Sequence, residues 1–489
     1  MEFYNQLELS IDATPDEIRK AYFDMAKMYH PDLNPSPEFQ EKFIGIQRAY
    51  ETLIDPRKRA EYDEKIPPEQ RSFKPIQVNA YYSRSAVPLI EGTQVFYLLL
   101  DIFPTKDLDV SVLPPVNVCL VLDRSTSMQG SLLEKIKSES INFIKLLRPI
   151  DVFSIVAFSD RAEVILEPTK IANITNAVTK IQSLQAFGAT EIYQGLYTGV
   201  EVLRSIKKDE QVRQLILITD GHTYGDEKAS LELIRTATQE GISFQAIGIG
   251  EEWNDQFLDE MARIAGGETQ FVSNAQEMYN SLTEKIKSLG VLFAQSVRLH
   301  FELDPLVELT YAFRYSPDLS NLDPISPVQM GNLYMGKHLR IIFEFKIKNL
   351  PDTITEIRIA NGTIKLDIPS NPVHKTRLFF DFKRSIRINM EKEMPPSAIV
   401  DAMSHLTLYR IQEKARIEVK NGDISRATKH LHHVATHLLA RGDRQLAHTV
   451  LEEAQNLQAQ KSLTELGEKK IKYGTRSLLM LPQPENDRK

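Results

Sequence analysis

Along residues 17–29, Ile18, Tyr22, Met25 and Tyr29 recur at intervals of three and four, which lays one apolar stripe along a helix. Thr14, Pro15 and Glu17 supply its start, with Thr as N-cap, Pro at the first helical position and Glu at N3. A second stripe, Phe39, Phe43, Ile46, Tyr50 and Leu53, follows a loop that contains His30, Pro31 and Asp32. Residues 1–65 are therefore expected to form an antiparallel helical hairpin with His-Pro-Asp at its tip. Pro67, Pro68 and Pro75 then stop any helix, and residues 66–75 read as a linker.

Over 116–289 the pattern changes to short apolar runs separated by helical stretches. The runs are 116–122 (VNVCLVL), 152–158 (VFSIVAF), 213–219 (RQLILIT) and 242–249 (ISFQAIGI), and between them, for example, Leu133, Ile136, Phe143 and Leu147 share one face. That alternation predicts a doubly wound parallel sheet covered on both sides. On either flank, 76–115 and 295–390 alternate apolar and polar, as where Ile341, Phe343, Phe345 and Ile347 interleave with Ile342, Glu344 and Lys346. These are expected to be half-buried antiparallel strands, with Asn361-Gly362 forming a two-residue type I′ hairpin turn. The simplest arrangement is one β-sandwich with the α/β domain inserted into it. Residues 396–480 return to helical spacing. NGDISRATKHL at 421 and RGDRQLAHTVL at 441 each place Gly before Asp, a C-cap followed by an N-cap, which predicts a helical hairpin. Their spacing is too short for a tetratricopeptide array.

Composition narrows the function classes. A chain of 489 residues suggests roughly three domains at about 100 to 200 residues each, so one domain is able to act on another. With 42% hydrophobic and 26% charged residues and a net charge of −7, there is no global basic field for nucleic acid. The single cysteine, Cys119, lies in an apolar run and excludes a disulfide framework; it reads as a buried strand residue, and a reducing compartment fits. Apolar runs such as VFYLLL at 95–100 are too short to span a bilayer, and the acidic start lacks a signal-peptide core. A cytoplasmic, protein-directed role is the expectation.

The candidate chemistry begins at LVLDRSTSMQG, where Asp123, Ser125 and Ser127 follow a strand end, the place where open α/β sheets hold ligands. Three hard oxygens in one turn suit Mg²⁺, which takes octahedral oxygen coordination and keeps waters. The same turn also reads as a plain cap for the helix over 131–148. Thr190, before another helix, and Asp220, at another strand end, would converge on the same rim.

Asp-x-Ser-x-Ser with a later Thr and a later Asp-Gly resembles the metal-ion-dependent adhesion site of von Willebrand factor type A (vWA) domains, over 116–289. The resemblance implies that Ser125, Ser127 and Thr190 bind Mg²⁺, with Mn²⁺ or Ca²⁺ as substitutes, directly or through water. It implies that Asp123 and Asp220 act through waters and that a carboxylate of a protein target takes the open position. Thr126 departs from the family, where glycine is common.

The first 65 residues, with HPD between the two helices and Asp55-Pro56 before a short basic helix, resemble a J domain, the regulatory module of DnaJ-type co-chaperones. That implies contact with a DnaK-type ATPase through His30, Pro31 and Asp32, with Arg19 and Lys20 on the helix before them. Phe23, Asp24, Met28 and Leu33 stand where such domains usually carry basic residues, so electrostatic docking is expected to be weak. His430, His433 and His437 share a helix face, and His433 and His437 have the spacing of a zinc pair, but they lack a metalloprotease glutamate and read as a solvated or capping face; the basic end KKIKYGTR at 469–476 is able to touch acidic surfaces, with a solvated helix end the preferred reading.

Two function classes follow. The first is a non-enzymatic co-chaperone that captures a target through Mg²⁺ and brings a DnaK-type ATPase to it. The second is a metal-dependent assembly adaptor in which the J-like module only docks. A metallohydrolase is a distant third, because no general base accompanies the oxygen cluster.

Overall fold

The computed structural model describes residues 2–9, 11, 13–31, 36–66, 76–105, 114–170, 174–206, 211–220, 223, 225–249, 254–272, 275–368, 375–388, 393–440, 444–464 and 467–473. Asp32, Leu33, residues 67–75 of the expected linker, Gly221 and the second Gly-Asp pair, Gly442-Asp443, lie outside them.

The chain begins with four helices: α1 (Glu2–Gln6), α2 (Pro15–Tyr29), α3 (Pro37–Leu53) and α4 (Pro56–Glu64). The start of α2 is a full capping box, in which Thr14 Oγ1 accepts from the Glu17 amide and Glu17 Oε2 accepts from the Thr14 amide at 2.6 Å. The two predicted stripes meet, so that Ile18, Ala21 and Met25 pack on Ile46, Ala49 and Leu53, and the Tyr22 and Tyr50 rings stack at 4.1 Å.

Three strands follow, β1 (Ile76–Tyr82), β2 (Val87–Pro88) and β3 (Gln94–Pro104). Then comes the α/β unit: β4 (Val116–Asp123), α5 (Ser131–Leu146), β5 (Val152–Phe158), β6 (Ala162–Lys170), α6 (Ile174–Gln182), α7 (Ile192–Arg204), β7 (Val212–Thr219), α8 (Glu227–Gln239), β8 (Ile242–Ile249), α9 (Asp255–Ala265), β9 (Glu268–Val272) and α10 (Ala275–Gly290). The sheet order is β6-β5-β4-β7-β8-β9. All four predicted strands are present and buried along their length. The two edge strands escaped the pattern because neither is a sustained apolar run, and β6 pairs antiparallel with β5, so the sheet is not wholly parallel.

The chain returns through β10 (Leu292–Leu303), β11 (Val307–Ser316), β12 (Ser320–Leu322), β13 (Val328–Tyr334), β14 (Leu339–Ile347), β15 (Glu356–Asp367) and β16 (Lys375–Arg387). Two five-stranded sheets result, β1-β3-β14-β11-β12 and β13-β10-β15-β16-β2. Strands from both sides of the insertion share each sheet, through the antiparallel β3–β14 pair and the parallel β2–β16 pair. The expected hairpin at Asn361-Gly362 is wrong. Both residues lie inside β15, where Gly362 faces Phe301 on β10 and Phe380 on β16. The glycine serves close approach rather than a turn, since a Cβ there would stand 2.0 Å from the His300 carbonyl oxygen.

Three antiparallel-packed helices, α11 (Ser397–Lys420), α12 (Ile424–Ala440) and α13 (Arg444–Gln460), complete the chain with a short helical piece at 467–473. This is more than a hairpin. Gly422 has φ +78° and the Asp423 side chain accepts from the Arg426 amide, the cap-to-cap junction expected there. The helices cover the outer face of the first sheet, burying Leu99, Phe313 and Ile342 against Leu406, Tyr409 and Leu431. Strands expected to be half-buried are thus covered on both faces at their centre. Cys119 is buried, and burial pushes its thiol up to about 12. No helix among the described residues is long and apolar enough to cross a membrane.

Candidate functional site

Asp123 ends β4 and Asp220 follows β7, its direct neighbour, so the parallel ladder sets both carboxylates at the carboxyl rim of the sheet. Asp123 is fully buried. Its Oδ1 accepts from the Ser125 amide at 2.8 Å and its Oδ2 from the Thr219 hydroxyl at 2.6 Å, which fixes the carboxylate from two sides. From Ser125 a relay runs outward: Ser125 Oγ lies 3.0 Å from Ser127 Oγ, which donates to Asp220 Oδ1 at 3.0 Å. Ser125 is buried and Ser127 exposed, so the relay leads from the core to solvent.

Thr190 is buried on the loop that precedes α7. Its loop is stitched to the serine turn by Gly188, whose carbonyl accepts from the Thr126 amide at 3.1 Å and from the Thr126 hydroxyl at 2.9 Å. The departure at Thr126 therefore has a structural use: the added hydroxyl ties the two candidate ligand loops together. Arg124 adds a second tie, its carbonyl accepting from the Phe187 amide at 2.9 Å while its guanidinium lies 4.4 Å from the Phe187 ring centre and 3.0 Å from Glu163. Gly188 sits at φ +81°, and a Cβ there would lie 2.5 Å from Asp160 Oδ1.

Electrostatically the pair of carboxylates is uncomfortable. Burial raises the Asp123 carboxyl above its ordinary range, and burial together with the Asp123 charge raises Asp220 to about 6. Hydrogen bonds join Asp123, Ser125, Ser127 and Asp220, while Thr190 stands on the neighbouring loop; these candidate donors are hard and oxygen-only, and the described residues assemble no cluster of three or more His, Cys, Asp or Glu side chains. That chemistry fits Mg²⁺ rather than a transition metal. Sequence reasoning missed Thr219, Gly188 and Arg124. Thr219 was findable, because it immediately precedes Asp220 at the end of the strand paired with the one that carries Asp123.

At the tip of the N-terminal hairpin, His30 caps α2 with extended backbone, and its ring meets Phe43 edge-on at 5.6 Å. Pro31 is described and Asp32 is not. On α2, Arg19 is ion-paired with Asp16 at 2.7 Å and Lys20 is half-buried. Phe23 and Met28 are 65% and 57% exposed, so the face beside His30 is apolar as well as basic. Asp24 turns to the β-sandwich, 3.3 Å from Arg377.

Two other expectations divide. His433 and His437 are exposed, as read from sequence, whereas His430 is half-buried. The described part of the basic end is only partly solvated: Lys470 is exposed, whereas Lys469 and Lys472 are buried, and Lys472, 1% exposed, pairs with Asp255 and Asp259 of α9, carboxylates on the α/β unit that supply its counter-charge; residues 474–476 lie outside the described residues.

Comparison with known proteins places these parts. Residues 2–63 match the DnaJ domain, residues 117–286 the von Willebrand factor type A domain, and residues 397–481 the Sll0103-like C-terminal alpha-helical domain. An uncharacterized protein, sll0103, of Synechocystis sp. is 28% identical over 321 residues, covering 63% of this chain and 75% of its own. The chaperone protein DnaJ of Streptococcus uberis is 52% identical over 63 residues, 13% of this chain. The match spans 17% of that DnaJ's length. Among solved structures, a von Willebrand factor type A protein from Catenulispora acidiphila has a TM-score of 0.62 at 13% identity, covering 83% of this chain and 97% of its own. The ArnB paralog VWA2 from Sulfolobus acidocaldarius has a TM-score of 0.55 at 15% identity, covering 83% and 99%. The chain therefore carries a J domain and a vWA domain, families that serve as regulatory or adhesion modules.

Proposed function

We propose that this J-domain protein is a co-chaperone whose vWA domain captures a protein target through Mg²⁺ while its J domain brings a DnaK-type ATPase to that target. The observation that carries the metal half is the Asp123–Ser125–Ser127–Asp220 relay, two mutually repelling carboxylates joined by hydroxyls on a solvent-facing rim. Ser125, Ser127 and Thr190 would hold the cation, Asp123 and Asp220 would steady it through waters, and the exposed side at Ser127 leaves room for a target carboxylate. When bound, the cation supplies a fixed positive charge for that carboxylate. The protein's own part is to hold the oxygens before binding, through the Thr219, Thr126 and Gly188 contacts. His30, Pro31 and Asp32 would stimulate the ATPase, aided by Arg19 and Lys20.

A pull-down from the host lysate with the full chain tests the capture half. Mg²⁺-dependent recovery of a defined target, lost with chelator and with Asp123→Ala or Thr190→Ala, is the expected result; capture that survives both substitutions and chelation removes the metal reading. Steady-state ATPase assays test the other half, with His30→Gln abolishing stimulation and leaving capture intact. If no DnaK-type protein responds to the intact chain, the metal-dependent adaptor is the reading that stands.

A further inference from the structure

The second sheet of the sandwich carries an unusual row of charge. Arg298 on β10 is the register partner of Lys365 on β15, which is in turn the partner of Arg377 on β16. Three cationic side chains thus lie directly opposite one another across three strands, an arrangement that repels unless anions face it. The Arg377 side chain is 2% exposed. Its partners come from the J domain: Glu8 at 3.4 Å and Asp24 at 3.3 Å. Phe379, on the same face as Arg377 two residues on, packs against the J-domain core.

Glu8 provides a second observation. It has φ +55°, just past the end of α1, where the chain ordinarily places Gly or Asn. A glutamate in that costly conformation is explained by what its carboxylate reaches. Beside the pairs, the Nε atoms of Arg298 and Arg377 and His300 Nε2 are buried with no hydrogen bond from another protein atom. On α2, Asp24 is the surface neighbour of Lys20 one turn before it and of Lys27 three residues after it. The sandwich therefore stands against the flank of the face that carries the basic side chains.

We infer that the Arg298–Lys365–Arg377 row is an internal receptor for the J domain, gripping Glu8 and Asp24 and restraining access to the Lys20 side of α2. The inference rests on the co-chaperone reading for its functional consequence and on geometry alone for the docking. Release of the clasp opens the Lys20 side of α2 to the ATPase.

Hydrogen–deuterium exchange and ATPase stimulation, measured on the full chain, test both parts. Arg377→Glu and, separately, Glu8→Gln with Asp24→Asn should each speed exchange several-fold in α2 and β16 and raise stimulation of a bacterial DnaK-type ATPase by about threefold or more. The second variant changes only J-domain side chains outside the sandwich, so a folding defect of Arg377→Glu does not decide the matter. Adding Asp24→Arg to Arg377→Glu should restore slow exchange. Unchanged exchange in the Glu8/Asp24 variant overturns the receptor; faster exchange with stimulation at or below the wild-type level overturns the restraint. If exchange rises and neither wild type nor variants stimulate at all, the docking is upheld and the co-chaperone reading is what fails.

Discussion

A hydroxyl at position 126 ties two loops together at the rim of the vWA sheet. Thr126 donates to the Gly188 carbonyl and so fixes the spacing between the serine turn and the Thr190 loop. Thr126→Gly removes a hydrogen bond of about 1 kcal/mol, equivalent to roughly fivefold in an equilibrium constant. We expect Mg²⁺ titrations of target capture to shift to about fivefold higher concentration, with the melting temperature little changed. His300, on the basic row's face, makes the pH prediction. Burial first, then Lys365, Arg298 and Arg377, lower its imidazole to about 3 from an ordinary 6.5. The unfolded chain takes up that proton below pH 6.5 and the folded chain does not until about pH 3, so stability is full above pH 6.5 and falls as pH drops toward 3. His300→Gln should flatten that part of the urea-midpoint profile; an unchanged slope would show that His300 is not responsible. At this scale the proximity of Asp123, Ser125, Ser127 and Asp220 was legible in the sequence, because strand ends and short-range spacing are visible in one dimension. Glu8 and Asp24 showed their use only in space, since their partner Arg377 is more than 350 positions away.

Strand β15 shows how an element is decided by its neighbours. Asn361-Gly362 has the local chemistry of a turn, yet Ile357, Ile359, Ile364 and Leu366 are buried on either side of it, and β10 and β16 pair along its length. Tertiary pairing overrode the dipeptide signal. Gly362→Ala must displace the β10 backbone, and we expect a loss of about 3 kcal/mol, read by urea denaturation. A near-neutral result would mean that β10 yields more easily than its central position suggests. Helix α2, by contrast, was legible to the residue, because its stripe, N-cap and Pro lie within fifteen positions. The edge strands β6 and β9 were not, since exposure on a sheet edge erases the apolar run by which a strand is recognised.

For the molecule as a whole, α9 is where three domains meet. The C-terminal region holds its start, where Lys472 and Arg416 converge on Asp255, and the sandwich holds its end, where Arg314 donates to the carbonyls of Gly266 and Gly267 at 2.6 and 2.9 Å. Breaking a buried ion pair on one side costs about 3–5 kcal/mol, so Lys472→Met should lower unfolding stability by that order, read as a shift in the urea midpoint. A loss below about 1 kcal/mol would mean that Arg416 compensates Asp255 by itself. The order of helical and α/β regions was readable from changes in hydrophobic period, whereas these junctions were not, because they rely on charged residues that look solvated in sequence. The split sandwich has a consequence in time. Strand β3 ends at Pro104 and its partner β14 begins at Leu339, so about 235 residues must be synthesised before pairing is able to begin. At about 5–20 residues per second the open side of β3, apolar through VFYLLL, waits roughly 12–50 s on the ribosome with the J domain already emerged. Nascent chains stalled near residue 330 should be cut by protease within 94–104 and those stalled beyond the sandwich should resist; equal resistance in both would show that β3 is shielded from the start. A proposed helper of folding is thus itself, during its own birth, a candidate client.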